Sequence, residues 1–344
     1  MRDFAYARAD SLGSVVDALT DDRTALIAGG TELLNWFRLG ITAPERVVDI
    51  GGLDELRGIT LQDGSDGPGA LRIAALATLN EVGEHPLVVD RAGALASACL
   101  QAASAQVRNR ATIGGNVLQR TRCAYFRAEE PLPWPCNRRK RGSGCAALGG
   151  LHERHAIYGG TDDCVAVQPS DPAVALAALD ALADVVGPAG RRTIPMRAFH
   201  LTPREAAAMG DPLRETRLDP DQVIVGYRIP LSERDGQAYV KVRERASYEY
   251  AIVSAAATVT LADSAGEDGE IATARVALGS VAQRPWRLDS AEADLRGAPL
   301  TRAAVQPIVE RAMSDAVPLP RNGFKVTMAR NAAVRALLAA GGAP

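Results

Sequence analysis

From Thr112 to Cys145 the chain reads TIGGNVLQRTRCAYFRAEEPLPWPCNRRKRGSGC, too polar for core and too rich in cysteine for an ordinary connecting loop. No other stretch constrains the fold as much, because it divides a chain that elsewhere reads as apolar strands and helices. Four of the five cysteines, Cys123, Cys136, Cys145 and Cys164, fall within 42 residues, separated by 12, 8 and 18 others. Pro131, Pro133, Pro135, Gly142 and Gly144 flank them and suit a loop wrapped around something. Four thiolates can hold zinc tetrahedrally or carry an iron–sulfur cube. Structural zinc usually shows short CxxC knuckles, and none occurs here, whereas wide spacing suits a cluster reached from several directions. Free thiols are the third possibility. Cys99 sits apart, in an alanine-rich helix, and reads as a small buried hydrophobe.

Charge adds to this. Between Gln119 and Cys145 stand Arg120, Arg122, Arg127, Arg138, Arg139, Lys140 and Arg141 against Glu129 and Glu130. A 4Fe–4S centre held by four thiolates is anionic, and a cationic shell raises its potential. The run 138–141 reads equally well as a solvated or docking face. His152 and His155, three apart, read as surface or outer residues, since four better ligands lie nearby.

The bulk numbers exclude several classes. A net charge of −2 asks for neither nucleic acid nor an anionic membrane, and 4% aromatics argues against a base-stacking surface. No apolar run reaches the roughly 18 residues a spanning helix needs. The opening MRDFAYARADSLGSVVDALTDD has acidic residues where a signal peptide needs an apolar run, so no export address is read in this chain. Five cysteines in a long chain disfavour a disulfide framework.

Along the chain, the first fifty residues read as a βαβ-like unit. A helix begins behind the cap Ser11, a strand passes through Gly29-Gly30 into a helix capped by Thr31, and RVVDI forms the next strand. After the turn-rich QDGSDGPG, ALRIAALATL reads as a strand feeding a helix at 80–83, and RAGALASACLQAAS as a helix. From Val165 a strand leads into PSDP, then come helix AVALAALDAL and a hairpin around GPAGRRTIP. The polar stretch 201–221 reads as a boundary. Beyond it VIVGYRIP, QAYVKVRER, IVSAAATVTLA and IATARVALGSV read as four strands, with AAVQPIVERAMS and RNAAVRALLAA as helices covering one face.

Two glycine pairs could hold a ligand. In AGGTEL and in TIGGN, glycines before a helix let backbone N–H groups approach a diphosphate, and the two loops together suit a dinucleotide gripped from both sides. GSGCAALGG formally matches G-x-G-x-x-A but follows NRRKR in place of an apolar strand, so it is set aside.

Taken in order, AGGTEL, QVRNRATIGGN, QPSDPAVALAALDA, KVRERASYEYAIVSAAATV and FKVTMARNAAVRAL resemble the FAD-binding subunits of the molybdenum hydroxylases, the xanthine dehydrogenase and aldehyde oxidoreductase group. The likeness covers essentially the whole chain. The cysteine segment is similar to the branch whose flavin subunit carries an added 4Fe–4S cluster, as in bacterial periplasmic aldehyde oxidoreductase and 4-hydroxybenzoyl-CoA reductase. The resemblance implies an α+β fold: a two-subdomain FAD-binding fold of vanillyl-alcohol-oxidase (PCMH) type, then a C-terminal α+β domain of CO-dehydrogenase-flavoprotein type. The units expected are 1–55, 56–215 with the cluster loop at 119–165, and 222–344.

By position, the likeness places Leu26, Ile27, Ala28, Gly29, Gly30, Thr31, Glu32 and Leu33 around the FAD diphosphate. It places Thr112, Gly114, Gly115 and Asn116 on the opposing loop, with Arg108 and Ala111 leading in. Ser170 and Asp171 would bond the ribityl or diphosphate region, and Lys241 would lie near the flavin ring. Cys123, Cys136, Cys145 and Cys164 would hold the 4Fe–4S cluster. No residue is expected to act as a general acid or base.

The function expected is electron transfer within a heterotrimer. A large molybdenum-cofactor subunit would oxidise an aldehyde, a small subunit would pass electrons through two 2Fe–2S clusters, and this chain would deliver them from FAD to an external acceptor. Contacts that the NAD-reducing relatives add beside the flavin have no counterpart in this sequence, which leaves the acceptor open. The compartment would be cytoplasmic, or periplasmic if a twin-arginine-bearing partner exports the complex. The alternatives are a stand-alone FAD-dependent oxidase with a zinc-stabilised loop, and a non-redox binding module with free thiols.

Overall fold

The computed structural model describes residues 2–62, 69–232, 236–262 and 269–342. Residues 63–68 of the turn-rich QDGSDGPG stretch lie outside them. The first unit runs β1 (Ala5–Arg8), α1 (Leu12–Ala18), β2 (Thr24–Ile27), α2 (Leu33–Arg38) and β3 (Arg46–Asp49), with the strands parallel in the order β1-β3-β2. Ser11 caps α1 in a capping box with Ser14, as its position before the apolar periodicity implies. The cap expected at Thr31 falls one residue later. Glu32 occupies it with no side-chain cap bond, because its carboxylate is engaged elsewhere.

The second unit runs β4 (Ile59–Gln62), β5 (Ala70–Ala74), α3 (Leu79–Glu84), α4 (Pro86–Arg91), α5 (Gly93–Gln101), α6 (Ala105–Arg108) and α7 (Ile113–Val117). After the cysteine segment follow α8 (Asp171–Ala178), β6 (Leu182–Gly187), β7 (Gly190–Pro195), α9 (Met196–Phe199), α10 (Pro203–Ala208) and β8 (Val223–Pro230). Its antiparallel sheet has the order β4-β5-β8-β6-β7. The strand VIVGYRIP, expected to open the C-terminal unit, is the central strand of this sheet. Being buried along nearly its whole length, it needs a neighbour on each edge, and β5 and β6 provide them. The strand expected from Val165 is absent; residues 165–170 carry no regular structure. Leu56, Leu76, Val223 and Val225 pack with Leu12, Val15 and Ile50 and join the first two units.

The remaining chain forms β9 (Gly236–Val242), β10 (Val253–Leu261), β11 (Ile271–Gly279), β12 (Trp286–Arg287), α11 (Asp289–Leu295), α12 (Arg302–Ala312) and α13 (Phe324–Ala340). The antiparallel sheet order is β12-β11-β10-β9. Successive residues of β10 serve two cores. Ala255, Ala257 and Val259 join the cluster with α13, whereas Ala256 joins the cluster with α5 and α8. The small side chains of this strand let helices approach on both faces. Among the described residues, no helix is long and apolar enough to cross a membrane.

Candidate functional site

A cleft of about 560 Å³ opens where the first unit meets the second. Leu26, Ala28, Gly29, Gly30, Thr31, Glu32 and Leu33 line it from the turn between β2 and α2; Ala111, Thr112, Gly114, Gly115, Asn116 and Asp171 line it from the second unit. The two glycine loops touch. A Cβ on Gly29 would stand 1.7 Å from the Arg110 carbonyl oxygen, so only hydrogen fits there. Gly30 has φ +74°, the left-handed region that glycine enters without strain.

The loops offer a ligand different things. Among the described residues, the backbone N–H groups of Gly29, Gly30, Thr31 and Glu32 donate to nothing. In the second loop they are already engaged: Gly114 to the Ala75 carbonyl at 3.0 Å, Gly115 to Thr112 Oγ1 at 3.2 Å and Asn116 to the Thr112 carbonyl at 2.8 Å. A run of unpaired N–H groups facing a cleft suits a diphosphate. The first loop therefore has donors to offer a ligand, while the second offers a wall and the Asn116 side chain.

Four expected site residues do not line the cleft. Ile27 lies within β2. The Arg108 guanidinium donates to Asn80 Oδ1 at 2.8 Å and to the Ala102 carbonyl at 2.9 Å. Ser170 caps α8 and donates to Asn116 Oδ1 at 2.7 Å. Lys241, expected beside a ring, is turned inward with its side chain 1% exposed. Its Nζ donates to Asp171 Oδ2 at 2.7 Å and to the Gln101 carbonyl at 3.0 Å, and Tyr239 donates to Asp171 Oδ1 at 2.5 Å. Burial raises the Asp171 carboxyl pKa, and Lys241 and Tyr239 pull against that shift. Asp171 is the member of this group that reaches the cleft.

Sequence reading missed several lining residues, among them Trp36, Gln119, Arg122, Tyr248 and Tyr250. Two exposed tyrosines in SYEY, in a chain poor in aromatics, were a usable signal. The carboxylate of Glu32 ties three pieces together. It accepts from Trp36 Nε1 at 2.8 Å, from Arg122 Nη2 at 2.8 Å and from Arg127. The Arg122 guanidinium in turn lies 4.6 Å from the Tyr250 ring centroid.

Beyond that junction the four cysteines of the inserted segment line one small cavity of about 10 Å³ with His155. Cys136 and Cys145 face each other in an isolated antiparallel bridge. All are free thiols, and no three His, Cys, Asp or Glu among the described residues are placed to hold a metal ion. Nearby backbone N–H groups pull the thiol pKa values down: Phe126 and Tyr125 for Cys123, Arg138 and Arg139 for Cys136, and Val165, Ala147 and Leu148 for Cys145. Arg138 Nε donates to Cys164 Sγ at 3.1 Å, and His155 Nε2 lies 3.2 Å from Cys123 Sγ. Burial nevertheless pushes Cys123 up to about 12 and raises Cys136 and Cys145, favouring thiol over thiolate at these three. Buried Cys99 lies elsewhere, in α5.

The basic run 138–141 is not one solvated face. The side chains of Arg138 and Arg139 are 3% and 2% exposed. Burial lowers the Arg138 pKa, but Glu215 and Cys164 outweigh it and the net shift is upward. Arg139 donates to the carbonyls of Leu39, Phe126 and Ala128. Only Lys140 and Arg141 point outward. His152 and His155 are buried too, the first bonded to the Ala147 carbonyl and the Arg321 N–H.

Residues 2–232 match the family described as FAD binding domain in molybdopterin dehydrogenase, and residues 238–340 match the CO dehydrogenase flavoprotein C-terminal domain. The chain is 38% identical over 334 residues to the aldehyde oxidoreductase FAD-binding subunit PaoB of Escherichia coli (strain K12), covering 96% of each. It is 27% identical over 356 residues to the putative xanthine dehydrogenase FAD-binding subunit XdhB of the same strain, covering 99% of each. Its fold matches a chain of carbon monoxide dehydrogenase from Hydrogenophaga pseudoflava with a TM-score of 0.73 at 28% identity, over 99% of this chain and 98% of that one. With the open N–H groups of the AGGTEL turn facing a cleft of this size, these likenesses lead to one assignment: the chain belongs to the FAD-binding subunits of the molybdenum hydroxylases, components of multisubunit oxidoreductases.

Proposed function

We propose that the chain is the flavin and 4Fe–4S electron-transfer subunit of a heterotrimeric molybdenum-containing aldehyde oxidoreductase. Its partners would be a large subunit with the molybdenum cofactor and a small subunit with two 2Fe–2S clusters, and an external acceptor would take the electrons. The complex would reside wherever its partners direct it, in the cytoplasm or, by co-export, in the periplasm. Aldehyde as the substrate rests on the relative at 38% identity, whose name carries that activity. When bound, FAD and a cluster supply the redox chemistry, and the protein supplies position and field.

One observation carries the cluster: the four cysteines of one inserted segment line a single small cavity, where nearby backbone N–H groups favour thiolate and a buried guanidinium donates to Cys164. Such donors favour thiolate over thiol and raise the potential of a cluster held there. The space among the side chains is small, so the thiols must rotate outward to admit a cube. In the cleft, Gly29, Gly30, Thr31 and Glu32 would bind the diphosphate through N–H groups, Asn116 would close the opposite side, and Lys241 would act through Asp171.

The test is metal, sulfide and flavin analysis of the full chain purified with its complex, in wild type and in Cys136→Ser. The wild type should bear about four iron atoms beyond those of the 2Fe–2S clusters. The variant should lose them while keeping its FAD. Unchanged iron in the variant, or zinc without that iron, would overturn the cluster.

A further inference from the structure

Arg122 belongs to the cysteine segment, one residue before Cys123, yet it lines the flavin cleft. Its Nη2 donates to Glu32 Oε2 at 2.8 Å and to Gln119 Oε1 at 3.2 Å, which fixes the end of the side chain. Its Nε is buried and has no hydrogen-bond partner among the described residues. An unsatisfied N–H there leaves the charge of the cation uncompensated on that side. The local charge is unbalanced in the same direction, since Arg122 and Arg127 share the single carboxylate of Glu32. Glu249, on the same cleft edge, is already engaged by Arg154 and Arg245. The Tyr250 ring beneath the guanidinium holds it in plane and keeps it from swinging into solvent.

We propose that Arg122, supplied by the cysteine segment and not by either glycine loop, is a binding residue of the flavin cleft that directs its surplus positive charge at the anionic cofactor. Glu32 is its positioning residue. The inference rests on FAD occupying this cleft, and it holds whether or not the neighbouring sulfurs carry a cluster. Because Arg122 and Cys123 are adjacent, order in the cysteine segment and affinity for FAD are thermodynamically linked, each favouring the other.

The experiment is FAD titration of flavin-depleted full chain, followed by flavin fluorescence, with the midpoint potential of the rebound flavin measured separately. Arg122→Gln should weaken FAD binding at least about tenfold, in keeping with loss of a charge-assisted hydrogen bond, and make the flavin harder to reduce. Arg122→Lys should recover the potential more than the affinity, because it restores the charge without the fork. Arg127→Gln removes the surplus charge without removing a residue that lines the cleft, so it should weaken FAD binding less than Arg122→Gln does; an equal or larger loss would overturn the assignment to Arg122. The proposal is overturned if Arg122→Gln binds FAD as wild type does. It is also overturned if its affinity, thermal midpoint and iron content fall together and Arg122→Lys restores none of them. Failure of the wild-type chain to bind FAD at all would instead defeat the flavin assignment itself.

Discussion

Gly29 is the residue at which a single atom decides the site. A methyl group there would stand 1.7 Å from the Arg110 carbonyl oxygen, a backbone atom with nowhere to move. Gly29→Ala should therefore pry the two glycine loops apart and leave the purified chain without FAD, as flavin absorbance per protein would report. Lys241 is a second such residue. It is the counter-charge of buried Asp171, and removing one partner of a buried pair strands the other. Lys241→Met should lower stability by about 3 kcal/mol in urea unfolding; a loss under about 1 kcal/mol would mean that Tyr239 alone satisfies the carboxylate. The glycine requirement was legible in AGGTEL. The inward turn of Lys241 was not, because a strand position fixes which face a side chain takes and not what waits there.

At the scale of elements, regular pieces were readable and their neighbours were not. Ser11 announced α1, and GPAGRRTIP announced the β6–β7 hairpin. VIVGYRIP was recognisable as a strand, yet its hydrogen-bond partners lie some 150 residues back along the chain as well as nearby. The cysteine segment has almost no regular hydrogen bonding, and arginines do the work of a ladder. Arg139 alone satisfies the carbonyls of Leu39, Phe126 and Ala128. Arg139→Ala should leave these acceptors unpaired and cost about 2–4 kcal/mol. Hydrogen exchange should locate the loss at residues 119–165 and leave β10 protected. Exchange spreading equally through β10 would show that the segment does not open as a unit.

For the whole molecule, the units are knit by groups from all of them. Glu32, Arg122 and Tyr250 meet across the cleft, and β10 contributes alternate residues to two cores. Global stability should accordingly carry the signature of buried titratable groups outside the sulfur site. His200, buried with Nε2 on the Val117 carbonyl at 2.9 Å, has its pKa pushed down to about 4 by desolvation. The unfolded chain takes up a proton near the ordinary histidine value of 6.5 that the folded chain refuses. His200 therefore adds no penalty above pH 6.5, and stability declines as pH falls from 6.5 through 4, by up to about 3 kcal/mol. His200→Gln should flatten that part of the profile in urea unfolding at stepped pH; an unchanged slope would assign the decline to other groups.

The sequence by itself determined the local chemistry: where glycines must turn, which segments alternate or spiral, that four cysteines crowd one stretch, and which family the motifs resemble. Those signals are short-range, set by backbone sterics and by side-chain periodicity. Only the tertiary structure decided that the first glycine loop keeps its N–H groups free, that Arg138 and Arg139 face inward, and that Arg122 of the cysteine segment lines the cleft between the glycine loops. Each is a matter of which distant group satisfies a buried charge or donor, and that pairing exists only once the chain has closed on itself.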